Sequence, residues 1–266
     1  MAEPHCPAHR FQREAITMIA QRCRAAEPRP VVATPVGRQL LRAGQCIPRH
    51  VHARSYIAVV VGGSYWEAHG AGRRHLRVGD VAVHGPYSAH CNDVGSSGAI
   101  VVNIAVDGAL ADAFGRIEDI DALVRVLKRD SSEARDLVLS ALKPVSPVIS
   151  DWPDQLAADI AASPQLCLGD WALKHGLALE TVSRGFRRLY GATPRQVRFE
   201  QRARRALFAL LSETTPLAQL SLSAGFTDQA SMTHAIRSLT GTSPLALRRK
   251  SSGDKTDGRS DAILRR

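Results

Sequence analysis

The stretches RGFRRLYGATP (184–194) and HAIRSLTGTSP (234–244) are two copies of one pattern, 50 residues apart. Phe186 aligns with Ile236, Arg187 with Arg237, Leu189 with Leu239, Gly191 with Gly241 and Pro194 with Pro244. Upstream, WALKHGL (171–177) aligns with LSLSAGF (220–226), so the repeat extends through a second element. Each copy reads as helix, glycine turn, helix. In the first, Leu168, Trp171, Ala172 and His175 share a face before Gly176, and Val182, Phe186 and Leu189 share a face after it. In the second, Leu217, Leu220 and Ala224 lead to Gly225, followed by Met232, Ile236 and Leu239. A small residue four before each turn glycine, Ala172 or Ser221, lets the two helices cross closely. Glu180, Thr181, Ser183, Arg184, Arg187 and Arg188 are left on the polar side of one second helix. Gln229, Ala230, Ser231, Thr233, His234 and Arg237 are left on that of the other. A long helix, about 195–211, joins the two units.

Charge is concentrated in the same part of the chain. The protein has 266 residues, a formal net charge of +10 and 44% hydrophobic residues. Residues 171–250 hold 13 basic and 4 acidic residues, whereas 151–170 hold acids alone. Nearly all of the excess therefore lies on the repeat, the electrostatic footprint expected for nucleic acid. A solvated basic face without a partner is the plainer alternative. No run of about 18 uncharged apolar residues occurs, so no membrane partner is expected. MAEPHCPAHRFQRE has no apolar core of a secretory signal, and five cysteines without CxxC spacing read as reduced thiols in a cytoplasmic protein.

With VSRGFRRLYGATPRQVRFEQRARRALFALL (182–211) and AGFTDQASMTHAIRSLTGTSPLALRR (224–249) in view, the chain resembles the AraC-type transcription regulators over about 155–250. The resemblance implies two helix-turn-helix units whose second helices enter successive major grooves, about 34 Å apart. It also implies double-stranded DNA, RNA polymerase, an effector and a second copy of the chain as partners. Arg184 stands where the family commonly places a base-contacting arginine; a fork to guanine or a phosphate clamp are both open. His234 replaces a more usual arginine, Met232 an aromatic and Ser221 an alanine, which suggests a second unit that reads less. Arg195, Arg198, Arg202 and Arg248 read as phosphate contacts or surface residues.

The first half has a different chemistry. Eight of ten histidines lie in the first 90 residues. From 31 to 107, short Val/Ile runs alternate with glycine-rich turns, as in a small all-β barrel. Gly44-x5-His50-x-His52 and Gly79-x5-Gly85-Pro86-x3-His90-x-Asn92 resemble the two motifs of the cupin barrel. The resemblance implies Zn²⁺ or Fe²⁺ on His50, His52 and His90, but Tyr56 replaces the usual fourth ligand, a glutamate. A metal site, an effector pocket including Tyr56 and plain structural histidines all remain open. Cys91 reads as a soft ligand or an inert buried thiol, and His5-Cys6-x-x-His9 as a further ligand cluster. Arg49, Arg54, Arg73, Arg74 and Arg77 would attract an anionic effector or lie on the surface.

The expected fold class is α+β multidomain: a cupin-like β-barrel followed by an all-α domain with two helix-turn-helix units. Residues 1–108 form the sensor, with an N-terminal helix at 9–26. Residues 109–154 form a helical dimerisation or linker region, running through LADAF, IDALVRVLK and SSEARDLVLSAL into a proline-rich linker (143–154). Leu123, Val124, Leu127, Leu137, Val138 and Leu142 form a dimer seam or pack on the barrel. Residues 155–250 bind DNA and 251–266 form a disordered tail. The expected function is ligand- or metal-controlled, sequence-specific transcription regulation, without enzymatic activity. A three-histidine oxygenase-like cupin enzyme carrying a DNA-binding domain, and a non-specific nucleic-acid binder, are the alternatives.

Overall fold

A run reading YIAVVV, apolar at every position, can be buried on both faces of a sheet, and this one is. The computed structural model describes residues 31–249 except 71, 147, 148, 150, 164 and 165. The 9–26 helix, the His5-Cys6-x-x-His9 cluster and the 251–266 tail lie outside the described residues. Eight antiparallel strands form one sheet: β1 (Gly37–Leu41), β2 (Cys46–His50), β3 (Ser55–His69), β4 (Gly72–Arg77), β5 (Asp80–His84), β6 (His90–Val106), β7 (Ala113–Arg116) and β8 (Lys143–Val145). Their order is β1-β6-β3-β5-β7-β8, with β2 also on β6 and β4 also on β3.

The long strands β3 and β6 change partner part-way along, which folds the sheet over itself. The β3–β6 register shifts at Val60/Gly62 and Gly63/Tyr65. Gly63 sits there at φ +64, and a Cβ on it would lie 2.1 Å from the Gly98 carbonyl oxygen. Only glycine fits this bulge. Alternation then sorts the run: Tyr56, Ala58 and Val60 face the interior with Tyr65, Leu76 and Val101. Ile57 and Val59 face outward, covered by α1 (Ile120–Leu127) and α2 (Ser131–Ala141) through Leu123, Ala134 and Val138. Asp119 caps α1 and Asp130 caps α2, accepting from the Ala122 and Ser132 amides at 2.7 Å each.

Leu123 and Val138 thus pack within the chain, leaving Leu139, 42% exposed, on the open side. Two expectations for this region fail. LADAF is not helical, because Ala113–Arg116 pairs with β5, and the start of the proline-rich linker is an edge strand on β7. Pro144 is tolerated there because an edge strand has unpaired positions.

The remaining chain is helical: α3 (Trp152–Ala162), α4 (Leu168–Lys174), α5 (Leu179–Tyr190), α6 (Pro194–Ser212), α7 (Leu217–Ser223) and α8 (Gln229–Thr240). One core joins α3, α4 and α5 through Leu156, Ile160, Trp171, Val182 and Phe186, with Val197 of α6. A second joins α6, α7 and α8 through Ala206, Leu210, Leu220, Met232 and Ile236. Helix α6 is therefore built into both. No helix among the described residues is long and apolar enough to cross a membrane.

The β domain packs along this helical half. Arg73 of β4 forks onto Asp154 of α3, with both bonds 3.1 Å, and Tyr190 also donates to Asp154 at 3.0 Å. Arg49 of β2 donates to Glu200 at 2.9 Å, and Arg204 of α6 donates to Asp112 at 2.7 Å. Arg49 and Arg73, expected at the surface, are instead buried in ion pairs. Cys46 is disulfide-bonded, whereas Cys91 and Cys167 are free thiols, so the expectation of five reduced cysteines fails at Cys46.

Candidate nucleic-acid interface and sensor site

Both second helices have one apolar and one polar side. In α5, Val182, Phe186 and Tyr190 are buried while Glu180, Thr181, Arg184 and Arg187 are exposed. In α8, Met232, Ala235, Ile236 and Leu239 are buried while Gln229, Ala230, His234 and Arg237 are exposed. Ser183, Ser231 and Thr233 are half-buried. Each helix ends at a left-handed glycine, Gly191 at φ +69 and Gly241 at φ +71, and Gly176 and Gly225 make the preceding turns at φ +63 and +79. Ala172 and Ser221, the small residues at the helix crossings, are both buried. Asp228 caps α8 by accepting from the Ser231 amide at 2.6 Å, whereas α5 has no side-chain cap.

Not every arginine assigned to this surface points outward. Arg188 is half-buried at the sensor seam, beside Trp66, Arg73 and Asp93. Arg202 donates to the Gly225 carbonyl at 3.1 Å and lies over the Phe226 ring, joining α6 to the second turn. Arg195 is exposed, and Arg198 and Arg248 are half-buried. His234 borders a cleft between the sensor and the helical half.

In the β domain, His50, His52 and His90 converge, with nitrogen atoms within 4.8 Å of one another. Backbone carbonyls orient the rings: Nδ1 of His50 lies 2.8 Å from Pro48 O, that of His52 3.2 Å from Val32 O and that of His90 3.5 Å from Ser88 O. A carbonyl only accepts, so each Nδ1 carries the proton and each Nε2 presents a lone pair. The Tyr56 hydroxyl lies 3.1 Å from His90 Nε2, where the resemblance would place a carboxylate. Burial lowers the pKa of all three imidazoles, that of His52 to about 4. Neutral, oriented imidazoles are the form that binds a divalent ion, so the donor set fits one.

These residues line a cavity of about 280 Å³ that also exposes Glu67 and Asn92. Glu67 is the carboxylate that motif reading misses. Register places it opposite Asn92, whose amide donates to Glu67 Oε2 at 3.0 Å, and Tyr65 donates to the same atom at 3.1 Å. Its Oε1 lies 3.1 Å from His84 Nε2 and 3.9 Å from His69 Nε2. Burial alone would raise its pKa, but His84 and His69 hold it below the ordinary carboxylate value. None of the five arginines expected near the effector lines this cavity. Cys91 points the other way, against Gly191, and burial pushes its thiol up to about 11, which makes it an inert packing residue.

A family model described as a helix-turn-helix domain matches residues 171–250, which contain both glycine turns and both polar helix faces. Residues 171–250 are a helix-turn-helix domain. Among solved structures, ToxT of Vibrio cholerae bound to an unsaturated fatty acid is 10% identical, covering 81% of this chain and 95% of its own, with a TM-score of 0.34. The DNA-binding domain of the transcriptional factor AdpA, in complex with a target DNA, is 23% identical, covering 40% and 98%, with a TM-score of 0.37. KdgF from Halomonas sp. is 22% identical over 28% of this chain and 72% of its own, with a TM-score of 0.23. No curated protein matches.

The β domain attached to this helix-turn-helix domain is expected to lose stability in acid. Burial lowers the pKa of His52 and His69 from 6.5 to about 4 in the folded chain. Between those values the unfolded chain binds more protons, so stability falls as pH falls through that window. The melting temperature is expected to drop from pH 6.5 to 4, and His52→Ala to flatten that drop. A melting temperature constant across the window would disprove it.

Proposed function

We propose that the chain is a sequence-specific, double-stranded-DNA-binding transcription regulator controlled through its barrel. The observation that carries this reading is the pair of polar helix faces, each closed by a left-handed glycine, at the two ends of one shared helix. Bases are read by Thr181, Arg184 and Arg187 on α5 and by Gln229, Ala230, Thr233 and Arg237 on α8. Helix ends and flanking arginines hold phosphates. The sensor is docked on α6, so a ligand that alters this docking shifts the population competent for DNA. RNA polymerase and a second copy are the further partners of such a regulator, the latter through the open side of α1 and α2. The cupin-enzyme alternative, which would carry the same DNA-binding half, is not favoured; iron-dependent turnover of a small molecule by the full chain would restore it.

Selection of duplexes from a random pool with the full chain tests this. Enrichment of one sequence, with contacts spread over about two successive major grooves and affinity falling with salt, is expected. Equal affinity for all duplexes would identify a non-specific binder instead.

The effector we infer for the barrel is a divalent ion held by His50, His52 and His90, or a small molecule in the same cavity. A bound ion would supply a fixed positive charge linking β2 to β6. His50→Ala with His90→Ala is expected to abolish stoichiometric Zn²⁺ or Fe²⁺, measured by elemental analysis after reconstitution. A wild-type chain that takes up no ion would leave only the small-molecule reading.

A further inference from the structure

The three imidazoles of the barrel have an oxygen donor beside them. Strand alternation turns Tyr56 inward, where its ring stacks on that of His84 at 4.3 Å and 12° and is 3% exposed. The hydroxyl is thereby held in place. It lines the same cavity as His50, His52 and His90, and its Oη lies 3.1 Å from His90 Nε2. Two donors that hold one ion from adjacent corners, each about 2.1 Å away, are roughly 3 Å apart. Tyr56 Oη and His90 Nε2 already have that spacing. The hydroxyl makes no other hydrogen bond among the described residues, so an ion at the imidazoles competes with this contact alone. Tyr65, the second phenol on the cavity wall, is engaged with Glu67 at 3.1 Å.

Charge decides which ion this oxygen serves. Neutral imidazoles leave the whole charge of an ion in a buried cavity, and a phenolate cancels one unit of it. The gain is larger for three charges than for two, and an anionic oxygen is the donor that a hard ion favours. We propose that Tyr56 is a fourth ligand, which makes the barrel a site for ferric iron in preference to a divalent ion. On binding, the Tyr56 O–H bond breaks, its oxygen bonds to the iron and the proton passes to solvent; the iron stays ferric and no electron moves. A divalent ion is held by the imidazoles alone, with the phenol proton still in place. The inference rests on the reading of His50, His52 and His90 as a metal site.

The full chain, freed of metal with a chelator, is loaded with ferric citrate or with Zn²⁺, and visible absorption and bound metal are measured after desalting. The ferric chain is expected to show a visible phenolate-to-iron charge-transfer band that the Zn²⁺ chain lacks. Tyr56→Phe keeps the ring and its stacking on His84 and removes only the oxygen. It should erase the band and weaken ferric binding by at least about tenfold, with Zn²⁺ uptake unchanged. A colourless ferric chain, or a band that survives Tyr56→Phe, overturns the proposal. Zn²⁺ uptake with no ferric band would overturn it and leave the three-histidine site standing, whereas a chain that takes up neither ion would overturn both.

Discussion

Arg184→Ala is expected to weaken binding to the selected duplex by about 10- to 100-fold, the equivalent of roughly 1–3 kcal/mol for a bidentate arginine–guanine pair. Binding to random duplex should change by no more than about threefold, the share of one cation among several phosphate contacts. Arg184 is exposed on the polar side of α5, two residues from each of the buried Val182 and Phe186 that hold the opposite side of the helix in place. The effect therefore arises at the DNA and not through folding. Arg184→Lys keeps the charge and loses the planar fork, so it should behave like alanine on the selected site and like wild type on random DNA. Parallel titrations on the two duplexes decide the matter. An equal loss on both would assign Arg184 to phosphate clamping.

The second large effect concerns the joint between the halves. Arg73→Met is expected to destabilise the chain by about 3–5 kcal/mol, because it leaves Asp154 buried without its cation. The two side chains are 6% and 3% exposed, and the fork is completed by the Tyr190 hydroxyl. Methionine preserves much of the packing that Arg73 makes over the Trp66 ring, so the loss reports the charge. Thermal unfolding should also split into two steps as the β domain and the helical half lose their shared cooperativity. Adding Asp154→Leu should recover most of the stability, since an apolar pair replaces a buried ion pair at little cost. A single-variant loss under about 1 kcal/mol, or a double variant no better than the single, would refute this account.

The DNA-binding half was legible because its signals are local. A glycine that must turn left-handed, followed three residues later by a helix-starting proline, marks Gly191–Pro194 and Gly241–Pro244 without reference to the rest of the chain. The long helix expected at about 195–211 spans Pro194–Ser212 for the same reason. What escaped depends on long-range register. Glu67 lies eleven residues beyond Tyr56, outside any motif, and reaches the cavity only because β3 pairs Glu67 with Asn92. His69 and His84 are among the eight histidines of the first 90 residues, but their approach to Glu67 follows from β5 meeting β3. Ala113–Arg116 is too short for periodicity to distinguish strand from helix. Charge counting is blind to pairing: Glu200 is neutralised by Arg49 and Arg204 by Asp112, so the excess on 171–250 is unchanged in total but sits on other side chains.

Helix α6, anchored in both helical cores, acts as a rigid ruler. Its 19 residues extend about 28 Å. Bending it would disrupt two cores together, so it cannot adjust its length or twist to suit the DNA. One extra base pair between the two contacted segments would turn the second groove by about 35°, and the protein has no joint with which to follow. If the chain reads DNA as proposed, its target sites can drift in their letters far more freely than in their spacing. An insertion of a single pair is a heavier lesion than most substitutions.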